Sequence, residues 1–242
     1  MQLQIYPDHS SQSLATAELI LSTIRQKPGA VLCLATGDTP RLAYNLMVQK
    51  ALEEKLDISD CFFIGLDEWL GIPPNNEGSC YHFLHQYVFQ PLGINADNVH
   101  LFDSMTDDPL KECHQMNEVI AAKGGIDLML VGVGMNGHLG FNEPGVSPDL
   151  EAHVITLDET TRTVGQKYFQ QSTSLNQGIT LGLQQILQSR QLIMMASGLK
   201  KSGIVKQAIE GPVSTTVPAS YIQTHFNGIA LLDEDAAKLI AR

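Results

Sequence analysis

The sequence predicts a three-layer α/β fold, a mainly parallel, doubly wound sheet with helices on both faces. Three observations predict it. Short apolar runs alternate with longer amphipathic stretches, the pattern of strand–helix–strand units. Several runs are apolar throughout rather than at every second residue, which suits strands covered on both sides. Helix punctuation falls between them, with Pro40 ahead of one amphipathic stretch and Gly124-Gly125 behind another. Parallel neighbours joined through helices imply right-handed crossovers.

Taken in order, a short apolar run predicts a strand over 3–6, and a helix over 11–26 follows from Leu14, Ala17, Ile20, Leu21 and Ile24 at helical spacing. The continuous run 31–35 predicts a buried strand, and Pro40 opens a helix over 41–54. A strand over 62–66 precedes an amphipathic helix over 77–89. A strand over 99–102 precedes a helix over 107–123, closed by the two glycines. Strands over 126–131 and 153–156, a helix over 159–169, a strand over 192–196, a helix over 199–209 and a strand over 228–231 complete the alternation. No repeat, low-complexity tract or linker interrupts it, so the expectation is one domain over 1–242.

Fifteen Lys and Arg against twenty-six Asp and Glu give a net charge of −11 and a pI near 5.0. That balance argues against a nucleic-acid partner, whose backbone is held by clustered cations. A bound phosphate must then be held locally, against the mean field. No apolar run reaches the roughly 18 residues of a membrane span, and Met1–Ile5 lacks the basic region and apolar core of an export signal. The expectation is a cytoplasmic, enzyme-like protein with no membrane partner. Cys33, Cys61, Cys80 and Cys113 form no C-x-x-C pair. Cys80, His82 and His85 can be drawn as a metal cluster, but no fourth ligand is suitably spaced, so no metal is expected.

Ligands of open parallel sheets bind beyond the carboxyl ends of the strands, and three polar loops follow apolar runs there. Ala35-Thr36-Gly37-Asp38-Thr39-Pro40 combines a glycine, two hydroxyls and a helix start, which suits an anion. Asp38 is awkward in that role and must point away or sit at the rim. The loop is no P-loop, since the Gly-Lys-Ser/Thr ending is missing. Leu66-Asp67-Glu68-Trp69 sets two adjacent carboxylates at a strand end, where one can enter a pocket as a general base while the other makes structural hydrogen bonds. Gly132 through Gly145 opens as G-x-G-x-x-G, with Asp158 about twenty residues on. A dinucleotide site would need a helix starting within those glycines, and Gly140, Pro144 and Gly145 prevent a long one. What remains is a glycine-rich loop that delivers His138 and Glu143, an acid–base pair. Lys200 and Lys201 follow the strand over 192–196 and can face the same edge; Lys167 falls late in a helix.

Together these motifs resemble the glucosamine-6-phosphate deaminase and 6-phosphogluconolactonase superfamily over nearly the whole chain. His138-Leu139-Gly140-Phe141-Asn142-Glu143-Pro144 resembles its amino-sugar deaminase branch. Leu66-Asp67-Glu68-Trp69, Pro91-Leu92-Gly93 and residues 213–220 are most similar to galactosamine-6-phosphate isomerases. The resemblance implies a Rossmann-like fold of the deaminase type. It implies conversion of a 2-amino-2-deoxyhexose 6-phosphate to a ketose 6-phosphate and ammonia without metal or organic cofactor. Galactosamine 6-phosphate is expected first, glucosamine 6-phosphate second, lactone hydrolysis a distant third. By position, Asp67 resembles the base that moves a proton from C2 to C1, and His138 the ring-opening residue, with Glu143 as partner and Asn136 where some members have a relaying Asp. Thr36, Gly37, Asp38 and Thr39 resemble the substrate-binding loop, joined by Gly137, by Lys200 and by Lys167, where the family often has Arg. Longer members use basic residues after Asn-Glu-Pro to bind an N-acetylated activator; His153 and Ile155 stand at the matching positions here, so no such activation is expected.

Overall fold

The apolar runs become one seven-stranded parallel sheet in the computed structural model, which describes residues 1–241. The first half of the chain runs β1 (Gln2–Tyr6), α1 (His9–Gln26), β2 (Val31–Leu34), α2 (Asp38–Glu54), β3 (Phe62–Ile64) and β4 (Asp67–Trp69). It continues through α3 (Cys80–Leu84), a π-helical turn (His85–Phe89), α4 (Gln90–Leu92), β5 (Val99–His100) and α5 (Pro109–Ala122). The second half runs β6 (Leu128–Gly132), β7 (His153–Thr156), α6 (Glu159–Gly165), β8 (Gln177–Thr180), α7 (Leu183–Gln188), β9 (Leu192–Ala196), α8 (Ser202–Glu210) and β10 (Gly228–Asp233).

The large sheet has the order β1-β10-β9-β6-β2-β3-β5, with every neighbouring pair parallel. Alternation along its strands feeds two cores. Val31, Cys33, Met129, Val131, Leu192 and Met194 face the layer containing α5, α7 and α8. Leu32, Leu34, Leu128, Leu130, Ile193 and Met195 face α1, α2 and the helical segment after Ser79. Strands buried on both faces need no polar alternate residues, which is why these runs read as continuously apolar.

Three expectations need correction. The run 62–66 ends as a main-sheet strand at Ile64; after Gly65 and Leu66 the chain leaves that sheet and starts β4. The strand over 153–156 belongs with β4 to a second, three-stranded antiparallel sheet of order β4-β8-β7, whose middle strand β8 was not anticipated. Gln177-Gly178-Ile179-Thr180 is too polar at its start to register as an apolar run. The helix over 77–89 starts only at Cys80, where Ser79 caps it by accepting the His82 amide at 3.0 Å. Among the described residues no helix is long and apolar enough to cross a membrane.

Candidate active site

The crevice opens between β2 and β6, where the chain reverses its direction of travel across the sheet. From β2 it steps outward to β3 and β5; from β6 it proceeds to the other side through β9 and β10. Such a switch point separates the two following loops and leaves a hollow beyond the strand ends. Residues 35–40 and the opening of the loop after β6 line one cleft of about 190 Å³ there.

Gly37 forms the turn into α2 with φ 116, a backbone that L side chains rarely adopt, and the Tyr168 hydroxyl lies 3.1 Å from where a Cβ would stand. The first amides of α2 have no intrahelical partner and point to this end of the cleft. Asp38 turns to two cations, Arg41 at 2.6 Å and Lys167 at 2.8 Å. Burial raises its carboxyl, but the two cations outweigh that and hold it below the usual carboxylate range.

The adjacent acids on β4 are divided by strand alternation. Glu68 is 3% exposed and accepts the amides of Trp69 (2.9 Å), Cys80 (2.9 Å) and Tyr81 (2.8 Å), fastening the start of α3 to β4. Asp67 lines the cleft. Among the described residues its one side-chain hydrogen bond comes from the Cys80 thiol, with Sγ 3.5 Å from Oδ1. Burial and, after it, the neighbouring Glu68 charge push the Asp67 carboxyl up to about 7.

The loop after β6 turns tightly, with the Gly134 amide donating to the His138 carbonyl at 3.0 Å and the Gly137 amide to the Gly134 carbonyl at 3.1 Å. The His138 ring lies against Gly134 so closely that any Cβ there would collide with Nε2, Cε1 and Cδ2. His138 Nδ1 sits 3.4 Å from Glu143 Oε2 and 3.0 Å from Thr161 Oγ1. Asn136 donates to the same Glu143 oxygen at 2.8 Å, and the Asp158 amide to the other at 3.2 Å. Burial pushes Glu143 up, yet these donors and His138 more than offset it, leaving the carboxyl below its ordinary value. Buried Asn142 donates to the carbonyls of Leu139 and Leu181, both at 2.8 Å, and pins the far end of the loop.

Two lysines reach the cleft. Lys167 follows α6, half-exposed, against Asp38 and over the Tyr168 ring at 4.7 Å. Lys201 ends the 3₁₀ turn Leu199–Lys201 and donates to the Val133 carbonyl at 2.5 Å. Burial, helped by the charge of Lys167, lowers the Lys201 ammonium to about 8. The cleft therefore joins a carboxyl, an imidazole backed by a carboxylate, and two ammonium groups beside a helix start.

This chain matches the family described as glucosamine-6-phosphate isomerases/6-phosphogluconolactonase across residues 9–230. It belongs to that family. A glucosamine-6-phosphate deaminase of Thermoanaerobacter sp. (strain X514) is 34% identical over 241 residues, covering 99% of this chain and 95% of the relative. A candidate deaminase, AgaI, of Escherichia coli (strain K12) is 38% identical over 237 residues, covering 96% and 91%. The solved structure of a monomeric glucosamine-6-phosphate deaminase, described as a missing link of the NagB superfamily, superposes with a TM-score of 0.96 at 32% identity, covering 99% of this chain and 100% of the other.

Within this member of the glucosamine-6-phosphate isomerase family, the structure gathers Asp67, His138, Thr36, Gly37, Asp38, Thr39 and Lys167 around one cleft, with Glu143 and Asn136 directly behind the imidazole. It does not bring in two of the expected residues. Lys200 is exposed and off the cleft, and Lys201, the last residue of the same 3₁₀ turn, lines it instead. Gly137 is buried, faces Val217 and Ile204, and lies behind the lining. Sequence reasoning also missed Thr161, Tyr168 and Cys80. Thr161 was findable, since it lies one turn into a helix that Asp158 caps by accepting the Thr160 amide at 2.8 Å. That cap is the role of the acid that mimicked a dinucleotide fingerprint. Cys80, His82 and His85 form no metal site; among the described residues no cluster of three His, Cys, Asp or Glu is arranged to hold one. His153 lies on β7 with Nδ1 2.8 Å from the Glu151 carbonyl.

Proposed function

We propose that this chain isomerises and deaminates a hexosamine 6-phosphate, giving a ketose 6-phosphate and ammonia, with glucosamine 6-phosphate as the preferred substrate. The reading rests on one observation: Asp67 and His138 line the same cleft as the 35–40 loop and Lys201. The earlier preference for galactosamine 6-phosphate gives way because relatives over nearly the full chain carry the glucosamine name. The two sugars differ only at the C4 hydroxyl.

The chemistry follows from the groups present. The phosphate lodges at the amides of α2, with the Thr36 and Thr39 hydroxyls, Lys201 and Lys167, and this remote anchoring holds the reacting carbons against Asp67. His138, steadied by Glu143, Thr161 and Asn136, moves the proton that opens the pyranose ring to the aldehyde. Only then is the C2 proton acidic enough to leave. Ionised Asp67 takes it and returns it to C1 through a cis-enolamine; the resulting imine at C2 adds water and releases ammonia. A carboxyl near 7 suits both halves of that shuttle, because it accepts and gives back a proton at similar driving force. Lys167 offers a point charge where a guanidinium would offer a fork.

Ammonia release from glucosamine 6-phosphate and galactosamine 6-phosphate, measured side by side, tests the proposal. Faster release from the glucosamine compound is expected. Faster release from its C4 epimer restores the other sugar, and hydrolysis of 6-phosphogluconolactone without any ammonia release overturns the reading.

A further inference from the structure

Among the described residues Cys80 belongs to no metal cluster, yet it lines the cleft and its thiol makes the only side-chain hydrogen bond they offer to the proposed base. The Thr36 hydroxyl donates to Cys80 Sγ at 3.2 Å, and Cys80 Sγ lies 3.5 Å from Asp67 Oδ1. The line Thr36–Cys80–Asp67 therefore connects the loop beneath the proposed phosphate to the carboxyl beneath the proposed C2. Its middle member is fixed. Cys80 begins α3, whose first amides are fastened to Glu68, the residue next to Asp67. Its side chain packs with Trp69, Phe141 and Leu157 in a small core behind the second sheet.

We propose that Cys80 is a positioning residue for Asp67, aiming its carboxyl and supporting the ionised form through an S–H donor. The inference rests on the proposed role of Asp67 as base. Burial, followed by the charges of Glu68 and Asp67, pushes the thiol well above its usual range, which favours the protonated donor. A thiolate would abandon the donor role and repel both carboxylates. The titratable groups around Asp67 are Glu68 on its own strand, Cys33 on β2 and Cys80 on α3; the same cleft is lined by Asp38, Glu77, His138, Lys167, Tyr168 and Lys201. Of these only Cys80 donates a hydrogen bond to it. Hydrogen bonds polarise one another in a chain, so Thr36 donating to sulfur strengthens the thiol's own donation onward.

The test compares Cys80→Ala with the near-isosteric Cys80→Ser. The titration of Asp67 is followed by carbon-13 NMR of its carboxyl, assigned with Asp67→Asn. This readout needs no substrate and stands apart from the functional reading, which deuterium exchange at C2 in Asp67→Asn tests separately. Cys80→Ala is expected to raise the Asp67 midpoint by roughly half to one pH unit, since loss of a donor to a carboxylate raises its pKa. The acid limb of kcat/KM should move with it. Cys80→Ser, a stronger donor, is expected to leave the midpoint at or below the wild-type value and to restore the limb. Unchanged midpoints in both variants, or equal shifts in both, would overturn the proposal, the second by showing that only packing matters.

Discussion

Asp127 and Asp67 stand at opposite ends of the sheet and are treated in opposite ways. Asp127 precedes β6, and its carboxylate accepts from Lys27 Nζ at 2.7 Å, from the Val31 amide at 2.8 Å and from Arg190. Burial raises it, but these donors outweigh burial and hold it below the ordinary carboxylate range. Asp67, at the carboxyl edge, receives one thiol hydrogen bond, so burial and, after it, the charge of neighbouring Glu68 raise its carboxyl to about 7. A buried acid kept for structure is surrounded by donors. Asp67, the one proposed for chemistry, is deprived of them, which leaves its proton exchangeable near neutrality.

The largest expected effect breaks the comparison at its open end. Asp67→Asn should lower deaminase turnover by about 10²–10⁴-fold or more, with C2 deuterium exchange lost and binding of a phosphorylated polyol retained. Because its raised pKa means that folded-state stability falls as pH rises from the usual carboxylate range to about 7, this variant should unfold no earlier than wild type at neutral pH. Exchange that persists removes Asp67 as the base.

Next comes the choice of lysine. Lys201→Ala should raise KM for the phosphorylated sugar by about 10–100-fold, the worth of a hydrogen bond to a charged group, while Lys200→Ala stays within about twofold of wild type. Equal effects from the two would return Lys200 to the site. The pH profile follows. kcat/KM should climb as Asp67 loses its proton near 7 and fall as Lys201 loses its own near 8, by up to about tenfold per unit on each limb. A flat profile between pH 5 and 7 would contradict an Asp67 base. The smallest catalytic effect belongs to the tied acid. Asp127→Ala should leave kcat/KM nearly unchanged and reduce unfolding stability by about 1–3 kcal/mol in denaturant titration. That contribution is present above the ordinary carboxylate range and is lost as pH falls through the lowered value.

These contrasts also mark what the chain's letters reveal. The main-sheet strands were legible because runs such as Val31–Leu34 and Leu192–Ala196 are apolar on both faces. The cleft was legible for the same reason, since its loops follow those runs. β8 was not, because Gln177–Thr180 is a short strand whose burial comes from partners distant in sequence. Of two neighbouring lysines in one short 3₁₀ turn, which leaves no periodic trace in the sequence, it is Lys201 that faces the cleft. Thr161 and Cys80 are ordinary residues in composition, and the roles proposed for them arise only from what folding sets 3.0 Å and 3.5 Å away.

The strap formed by Asp38 and Lys167 at 2.8 Å gives the proposed phosphate a rival already in place. A dianionic tail can exchange for that carboxylate on the ammonium; a neutral hydroxymethyl group brings nothing to trade and leaves the strap fastened. On the proposed reading, admission to the cleft is ion exchange, sorting sugars by the charge at their sixth carbon before any atom at the second is touched.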